Sequence, residues 1–355
     1  MKRVTSLTAV LLSALTTPLT PDDYIGLVRP LWSRRQLRGR VESVRPETVD
    51  AATVVIRPGR GWRGHRAGQY VRLGVGIDGV WQWRAYSLSS APGGPDGPIS
   101  ITVKAGPGGR VSQYLVHRIE SGTTVRLEHP QGRFVLPPAT PRRLLFLTAG
   151  SGITPVMSMV RGFALRREIP DIVLIHSAPT GNDVIFGAEL RRLAGRYPTL
   201  RVHEHYTRAP GGGRLTMRKL STICPDWSER PAWACGPPGL LEAAEAHWRQ
   251  AGISDQLRVE RFHLGVVRGG AGGRVRFVRS GRMTTADGDT PLLVVGENTG
   301  VLMPSGCRTG ICRSCLARLA SGRVRDLRTG LEHGDEGDVV QTCVSAAAGD
   351  VDIDL

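Results

Sequence analysis

RRLLFLTAGSGITPVMSMVRGFALRRE, residues 142–168, changes its hydrophobic rhythm halfway along. Leu144 to Leu147 is an unbroken apolar run, the pattern of a strand covered on both faces, and a helix-forming run begins at Pro155. Between them Gly150 and Gly152 permit close backbone approach. Thr154 and Pro155 stand where a helix cap and first turn are favoured, so an anionic pyrophosphate can dock on the helix end. The loop reads G-x-G-x-x-P and departs from the dinucleotide fingerprint that closes on glycine. Downstream, DIVLIHS (171–177), LRVHEHYT (200–207) and PAWACG (231–236) are further strands, with the helical stretches VIFGAELRRLAG (184–195) and GLLEAAEAHWRQAG (239–252) between them. Strands alternating with helices predict a parallel sheet with crossovers.

On the N-terminal side the pattern differs. GRVESV, TVVIRP, GQYVRLGV, RAYSLSS, ISITVKA and TVRLEH, between residues 39 and 129, are short β-rich runs separated by Gly and Pro clusters, and they predict an antiparallel barrel. On the C-terminal side the glycine-rich stretch GVVRGGAGG (265–273) reads as a linker. After it, RVRFVRS, GRMTTADGD and PLLVVGENTG predict a hairpin, a turn and a short helix. At 355 residues the chain is too long for one ordinary core. The expected division is an N-terminal helix and connector (1–38), a barrel (39–140), an α/β domain (141–264), the linker, and an α+β domain (274–355).

Half of the six cysteines fall within nine positions, CRTGICRSC (307–315). The spacing Cys307-x4-Cys312-x2-Cys315, with Cys343 far downstream, is the plant-type arrangement for a [2Fe–2S] cluster. Four thiolates converge on two irons when a curled loop supplies three and a distant strand the fourth. Gly306 and Gly310 allow the loop to curl with its amides towards the sulfurs. A structural zinc site, usually built from paired C-x2-C units or histidine, fits this spacing poorly. Cys224 and Cys235 lie outside the cluster region and are not counted as ligands.

These residues carry a resemblance. PLLVVGENTGVLMPSGCRTGICRSCLARLASGRV and VVQTCVSAAAGDVDIDL are similar to a plant-type ferredoxin domain of β-grasp fold, and RAYSLSS resembles the R-x-Y-S-x-x-S signature of the ferredoxin–NADP reductase family. The resemblance implies that Arg84 neutralises the FAD pyrophosphate, Tyr86 lies against the isoalloxazine, Ser87 hydrogen-bonds near its N5, and Ser90 completes the motif. A guanidinium suits phosphate oxygens, and an aromatic face excludes water from a ring that receives hydride. ISITVKAGPGGRVSQYL resembles the second flavin segment, with Val103 and Lys104 lining the site and Gly109, Arg110, Val111 and Ser112 opening a helix towards the flavin phosphates. ACGPPGLL looks like the family's C-G-P-P motif, in which Cys235 approaches the nicotinamide while Gly236 and Pro237 shape the turn. A simply buried cysteine is the alternative. In VERFH (259–263) Glu260 and Phe262 are candidates for closing the flavin site. HYTR supplies Thr207 and Arg208, with Arg214 behind, as a grip for a 2′-phosphate, which favours NADPH over NADH. His203 and His205 share one side of a strand and read as a solvated face in preference to a metal pair.

The net charge is +16, and the segment from Arg274 onward, with ten basic and eleven acidic residues, carries none of that excess. Nucleic-acid binding is disfavoured: the arginines are scattered, aromatic residues make up 5%, and no nucleic-acid motif occurs. A basic surface facing an acidic redox partner or an anionic membrane accounts for the same charge. MKRVTSLTAVLLSAL mimics a secretory signal, but no small-residue cleavage site follows, and the run is too short to span a bilayer. Leu7, Val10, Leu11, Ala14 and Leu15 follow one helical face and predict an amphipathic helix. The sparse, clustered cysteines indicate a reducing compartment. The expected location is cytoplasmic, with peripheral association at the inner face of the membrane through that helix.

The resemblance covers residues 39–355. It implies an oxidoreductase that passes electrons from NAD(P)H through FAD to the [2Fe–2S] cluster and on to a terminal iron oxygenase or desaturase. The connector GLVRPLWS (26–33) resembles the subgroup serving membrane-bound di-iron fatty-acyl desaturases. Rieske ring hydroxylases, alkane hydroxylases and cytochromes P450 are the alternative acceptors, and a flavin and iron–sulfur redox sensor is the alternative of another class.

Overall fold

The computed structural model describes residues 29–33, 36–95, 97–107, 109–262, 269–306, 308, 310 and 313–355. The expected N-terminal helix and two of the four clustered cysteines, Cys307 and Cys312, lie outside them. The described residues divide into two units, one holding those up to Gly236 with Ala243–Glu260, the other Pro237–Glu242 with those from Arg261 onward.

The first unit begins with six antiparallel strands, β1 (Arg38–Thr48), β2 (Ala51–Pro58), β3 (Tyr70–Ile77), β4 (Val80–Ser87), β5 (Ile99–Lys104) and β6 (Thr124–Leu127). Their order is β4-β3-β6-β1-β2-β5, and a bridge between Leu88 and Ile101 brings the end of β4 onto β5 and closes the barrel. Alternation does the packing. Val54, Ile56, Leu73, Ile99, Ile101, Val103 and Leu127 point inward and are buried, whereas Thr53, Ser100 and Thr102 point the other way. Helix α1 (Arg110–His117) follows β5 and places Val111 and Leu115 in the same core.

Five parallel strands then form an α/β sheet: β7 (Arg143–Ala149), β8 (Asp171–Ala178), β9 (Leu200–Tyr206), β10 (Ala232–Cys235) and β11 (Leu257–Glu260), in the order β11-β10-β7-β8-β9. Helices α2 (Ile153–Arg166), α3 (Gly187–Arg196), α4 (Met217–Ile223) and α5 (Pro238–Gln250) lie along the chain between them. The chain winds outward from β7 in both directions, so the order reverses between β7 and β10. A crevice outside the strand ends at such a switch point is where open α/β sheets bind ligands.

The second unit holds β12 (Gly273–Phe277), β13 (Arg282–Ala286), α6 (Leu292–Asn298), β14 (Leu316–Asp326), β15 (Glu332–His333), β16 (Val339–Gln341) and β17 (Ser345–Ile353). The sheet is mixed, β13-β12-β17-β14-β15, with β12 and β17 parallel and β16 paired to β14. Phe277, Leu292, Leu319, Val324 and Ile353 close a core under α6. Antiparallel barrel, parallel-sheet domain and mixed-sheet domain are the architecture expected from the sequence.

Candidate functional site

Strand β4 stands first in the strand order, and alternation sets Arg84 and Tyr86 on one face and Ser87 on the other. Arg84 Nη1 donates to the Trp83 carbonyl at 2.7 Å, and the side chain stays half-buried. Tyr86 packs against the barrel core, and burial pushes its phenol above the ordinary range against the pull of Arg84. Ser87 is buried. The Ser90 hydroxyl accepts from the Ser100 amide at 3.1 Å, so it is engaged inside the barrel. Val103 is a core residue, and Lys104 forms an ion pair with Asp50 at 2.6 Å, a partner that the sequence reading did not anticipate.

The first turn of α1 carries no side-chain cap, and its N-cap is Gly109. A Cβ at Gly109 would lie 2.4 Å from Ser112 Oγ, which itself donates to the Gly109 carbonyl and accepts from the Gly106 amide. Uncapped amides at a helix start suit the phosphates of a flavin dinucleotide, as does a half-buried guanidinium such as that of Arg84. Val111 anchors the turn in the core, and Arg110 pairs with Asp78 at the surface.

At the switch point the two strand ends meet at van der Waals limits. A Cβ on Gly152 would fall 2.1 Å from the Cys235 carbonyl oxygen and 2.9 Å from the Gly236 nitrogen, so only glycine fits there. Gly150 takes a φ of 53°, the left-handed region that glycine tolerates. Helix α2 begins at Ile153 with Gly152 as N-cap and no side-chain cap. Thr154 was expected at the cap; its hydroxyl instead folds back to the Ser151 carbonyl at 2.9 Å, and the Ile153 amide donates to the Gly150 and Ser151 carbonyls. Pro155 sits buried within the first turn.

Cys235 is buried, and burial with the neighbouring Glu260 pushes its thiol well above the ordinary value. It is a neutral thiol, suited to packing against a ligand and not to nucleophilic chemistry. Glu260 is its register partner on β11, and desolvation pushes that carboxyl up to about 7. Pro237 leads from this turn into α5, and Phe262 is half-buried.

At the end of β9 the Thr207 and Arg208 amides donate to the Ala178 and Pro179 carbonyls, which fixes the turn and leaves the Arg208 side chain exposed. Beside it lies a cleft of about 480 Å³ lined by His203, Glu204, His205, Tyr206 and Lys219, among others. His205 Nε2 shares a 2.8 Å hydrogen bond with the Gly213 carbonyl. No group of three metal-ligating side chains is gathered among the described residues.

Of the cluster cysteines, Cys315 and Cys343 are described, and both are buried. A hydrogen bond from Cys343 holds the Cys315 thiol down at about 6. The Thr342 amide and hydroxyl both donate to the Cys315 carbonyl at 3.0 Å, pinning the loop to the segment that bears the fourth cysteine. The described residues Arg308, Gly310 and Arg313 all have positive φ, and Gln341 Nε2 donates to the Gly310 carbonyl at 3.0 Å. Two buried, converging thiols fit two of the ligands of an iron–sulfur cluster.

Family comparison agrees with this geometry. The profile of the oxidoreductase FAD-binding domain matches residues 62–136, that of the oxidoreductase NAD-binding domain 146–246, and that of the 2Fe-2S iron-sulfur cluster binding domain 277–348. A Mycobacterium tuberculosis protein described as an NADPH oxidoreductase is 52% identical over 96% of this chain and 90% of its own length. The chain belongs to the ferredoxin reductase-type oxidoreductases. The glycine betaine monooxygenase reductase subunit of Pseudomonas aeruginosa is 30% identical over 81% of this chain and 87% of its own. The 3-ketosteroid-9-alpha-monooxygenase ferredoxin reductase component of Mycolicibacterium smegmatis is 31% identical over 80% and 86%. Phthalate dioxygenase reductase shares the fold with a TM-score of 0.64 at 22% identity, covering 90% of this chain and 98% of that one. This ferredoxin reductase-type chain is therefore an NAD(P)H-dependent oxidoreductase using FAD and a [2Fe–2S] cluster, and no helix among its described residues is long and apolar enough to cross a membrane.

Sequence reasoning missed Thr148 and His176, buried and joined at 2.9 Å across β7 and β8. It also missed Glu47, Ser158 and Arg161, which link the barrel to the α/β domain. An arginine on the helical face of Ser158 and Gly162 was the available signal.

Proposed function

We propose that the chain is the reductase component of an oxygenase system, taking reducing equivalents from NADPH and delivering single electrons to a separate iron-containing oxygenase. The observation that carries this reading is the sequence of three sites on one chain. These are the uncapped helix start at Gly109, a crevice at the switch point where Gly152 abuts Cys235, and the converging pair Cys315 and Cys343. Bound flavin supplies the exchange between a two-electron donor and a one-electron acceptor. The protein's own contribution is positional. Arg84 and the α1 amides hold phosphate, Tyr86 covers the ring, Ser87 offers a hydroxyl to its reactive edge, and the neutral Cys235 thiol packs at the nicotinamide without competing as a nucleophile.

NADPH is favoured by the exposed Arg208 beside a cleft that Lys219 also lines, and by the description of the Mycobacterium tuberculosis relative. The monooxygenase reductases among the relatives support an oxygenase of multicomponent, Rieske-hydroxylase type as acceptor. The membrane-bound fatty-acyl desaturase suggested by GLVRPLWS finds no support among them.

The test uses the cofactor-loaded protein with NADPH, a soluble Rieske-type oxygenase in one arm and a stearoyl-CoA-desaturating membrane fraction in the other. NADPH-dependent product in the soluble arm is expected. Product only with membranes would restore the desaturase, and failure to reduce even cytochrome c would turn the reading towards a sensor. Arg208→Ala should raise KM for NADPH by about tenfold or more, the worth of a lost charged hydrogen bond, and leave that for NADH nearly unchanged. Equal rises would remove the 2′-phosphate assignment.

A further inference from the structure

Helix α2 is bolted to the flavin strand by side chains that neither motif includes. Ser158 Oγ donates to the Ser90 carbonyl at 2.6 Å, and Arg161 Nη1 donates to the Ser89 carbonyl at 2.7 Å. A Cβ on Gly162, on the same helical face, would lie 3.3 Å from the Pro92 ring. The guanidinium is itself held in a two-point fork: Nε to Glu189 Oε1 at 3.0 Å and Nη2 to Glu189 Oε2 at 2.6 Å. It also lies 4.7 Å from the centroid of the Phe186 ring.

From Phe186 the contacts return to the barrel. Its backbone is left-handed, φ 62°, an uncommon state for a side chain of that bulk, and its amide donates to Glu47 Oε2 at 3.3 Å. Glu47 Oε1 accepts from Thr53 at 2.6 Å, Thr53 shares a 2.7 Å hydrogen bond with Thr102, and Thr102 shares one of 2.9 Å with Ser89. The circuit is closed, since Ser89 is where Arg161 began. It also has a polarity. A carboxylate only accepts, so Thr53 must donate to Glu47 and accept from Thr102, which in turn accepts from Ser89. Ser89, Thr53 and Thr102 are buried, on the strand face turned away from the barrel core, so these hydrogen bonds are made out of water and their geometry is held firmly.

We propose that Arg161 is a positioning residue for hydride transfer, fixing the dinucleotide helix against the flavin strand. Ser89 is two residues beyond Ser87, and Arg161 lies eight residues along α2 from Ile153, about 12 Å at the helical rise. A rigid helix clamped at that distance has its N-terminus aimed by the clamp. The acceptors are backbone carbonyls, so the link fixes the course of the main chain itself. The inference rests on the placement of flavin at β4 and dinucleotide at α2 given above.

The test compares Arg161→Met, Arg161→Lys and Ser158→Ala with the unmodified protein, full-length throughout. Hydrogen exchange on flavin-free protein reads the clamp directly, and Arg161→Met should speed exchange in residues 88–90 and in α2. In the loaded protein, flavin reduction followed by stopped flow should slow by about tenfold to a hundredfold, the range expected of a misplacement near 1 Å. The isotope effect with NADPH deuterated at the transferred position should increase, while FAD content and NADP⁺ affinity stay within about twofold. Arg161→Lys should recover part of the rate, because an ammonium reaches the Ser89 carbonyl but cannot fork onto Glu189. Ser158→Ala, a mild change, should move rate and isotope effect in the same direction. An unchanged rate and isotope effect in the Met and Ala variants would overturn the proposal. Loss of FAD or NADP⁺ binding matching the loss of rate would instead overturn the placement on which it rests.

Discussion

Substituting alanine for Gly152 adds one carbon at a site where the nearest heavy atoms belong to backbone. The new Cβ would lie 2.1 Å from the Cys235 oxygen, 2.5 Å from its carbonyl carbon and 2.9 Å from the Gly236 nitrogen. Gly152 has a φ of −61°, which any residue accepts, so the effect is steric alone. No side-chain rotation relieves it: the Gly152 and Cys235 backbones must part by more than 1 Å, from 2.1 Å to an ordinary 3.4 Å. Overpacking of this kind costs about 1–3 kcal/mol, and each kcal/mol lowers Tm by about 2–4 °C in a domain of this size. The same displacement at the nucleotide crevice should slow flavin reduction by NADPH about a hundredfold. Gly195→Ala is the control. It makes the same change in α3, where a Cβ meets nothing within 4 Å, and should stabilise by up to about 1 kcal/mol with no kinetic effect. Calorimetry and stopped-flow reduction read both variants. A Gly152→Ala protein with unchanged Tm and reduction rate would show that the strand ends do not meet as described.

Cys312→Ser should abolish NADPH-dependent cytochrome c reduction while leaving ferricyanide reduction by the flavin largely intact; loss of both would mean that the two centres do not act in series. At the C-terminal edge of the parallel sheet, burial pushes Glu260 up to about 7 from 4.5 and His176 down to about 4 from 6.5, the latter against the raising influence of Glu204. The raised carboxyl withdraws stability as pH climbs from about 4.5 to 7, and the depressed imidazole withdraws it as pH falls from about 6.5 to 4, each by up to about 3 kcal/mol. Glu260→Gln should therefore leave a stability that rises with pH across this window, and His176→Gln one that falls, in urea titrations at pH 5 and 7. Slopes of the same sign in the two variants would refute the assignment.

What could be read from the sequence was local or periodic. The apolar run Leu144 to Leu147 predicts a strand covered on both faces, and in β7, central between β8 and β10, all four residues are buried. Alternation in ISITVK separates Ile99, Ile101 and Val103, which face the core, from Ser100 and Thr102. Three of the cluster cysteines declare themselves through spacing alone. What the sequence did not show was partnering. Lys104 pairs with Asp50, 54 positions away. Thr154 stood one residue inside the helix start, since Gly152 serves as the N-cap and the hydroxyl turns back on Ser151. Arg161 resembles any surface arginine of a chain with 47 basic residues until Ser89, 72 positions upstream, is placed beside it.

The two ends of the parallel sheet handle polar groups in opposite ways, and the contrast marks the working end. Near the strand starts, the buried Arg230 donates to Asp171 and Asp226 at 2.7 Å each, and Arg201 and Arg143 add further pairs with the same acids. Charge there is matched by charge, which is how a sheet end is stabilised. At the other end the register runs Glu260, Cys235, Thr148, His176, Glu204 across all five strands, one polar side chain per strand at a single level. Glu204 is paired with Arg191 and Tyr206, and Thr148 with His176 Nδ1, but Glu260, Cys235 and His176 Nε2 are desolvated with little compensation. Cys235 is a neutral thiol, Glu260 titrates near 7, and His176 Nε2 is buried without a hydrogen-bond partner among the described residues. A row of this kind costs stability, and proteins keep such exceptions mainly where function requires them. Its position at the switch point, where Gly152 abuts Cys235, sets the row beside the crevice in which open α/β sheets bind ligands.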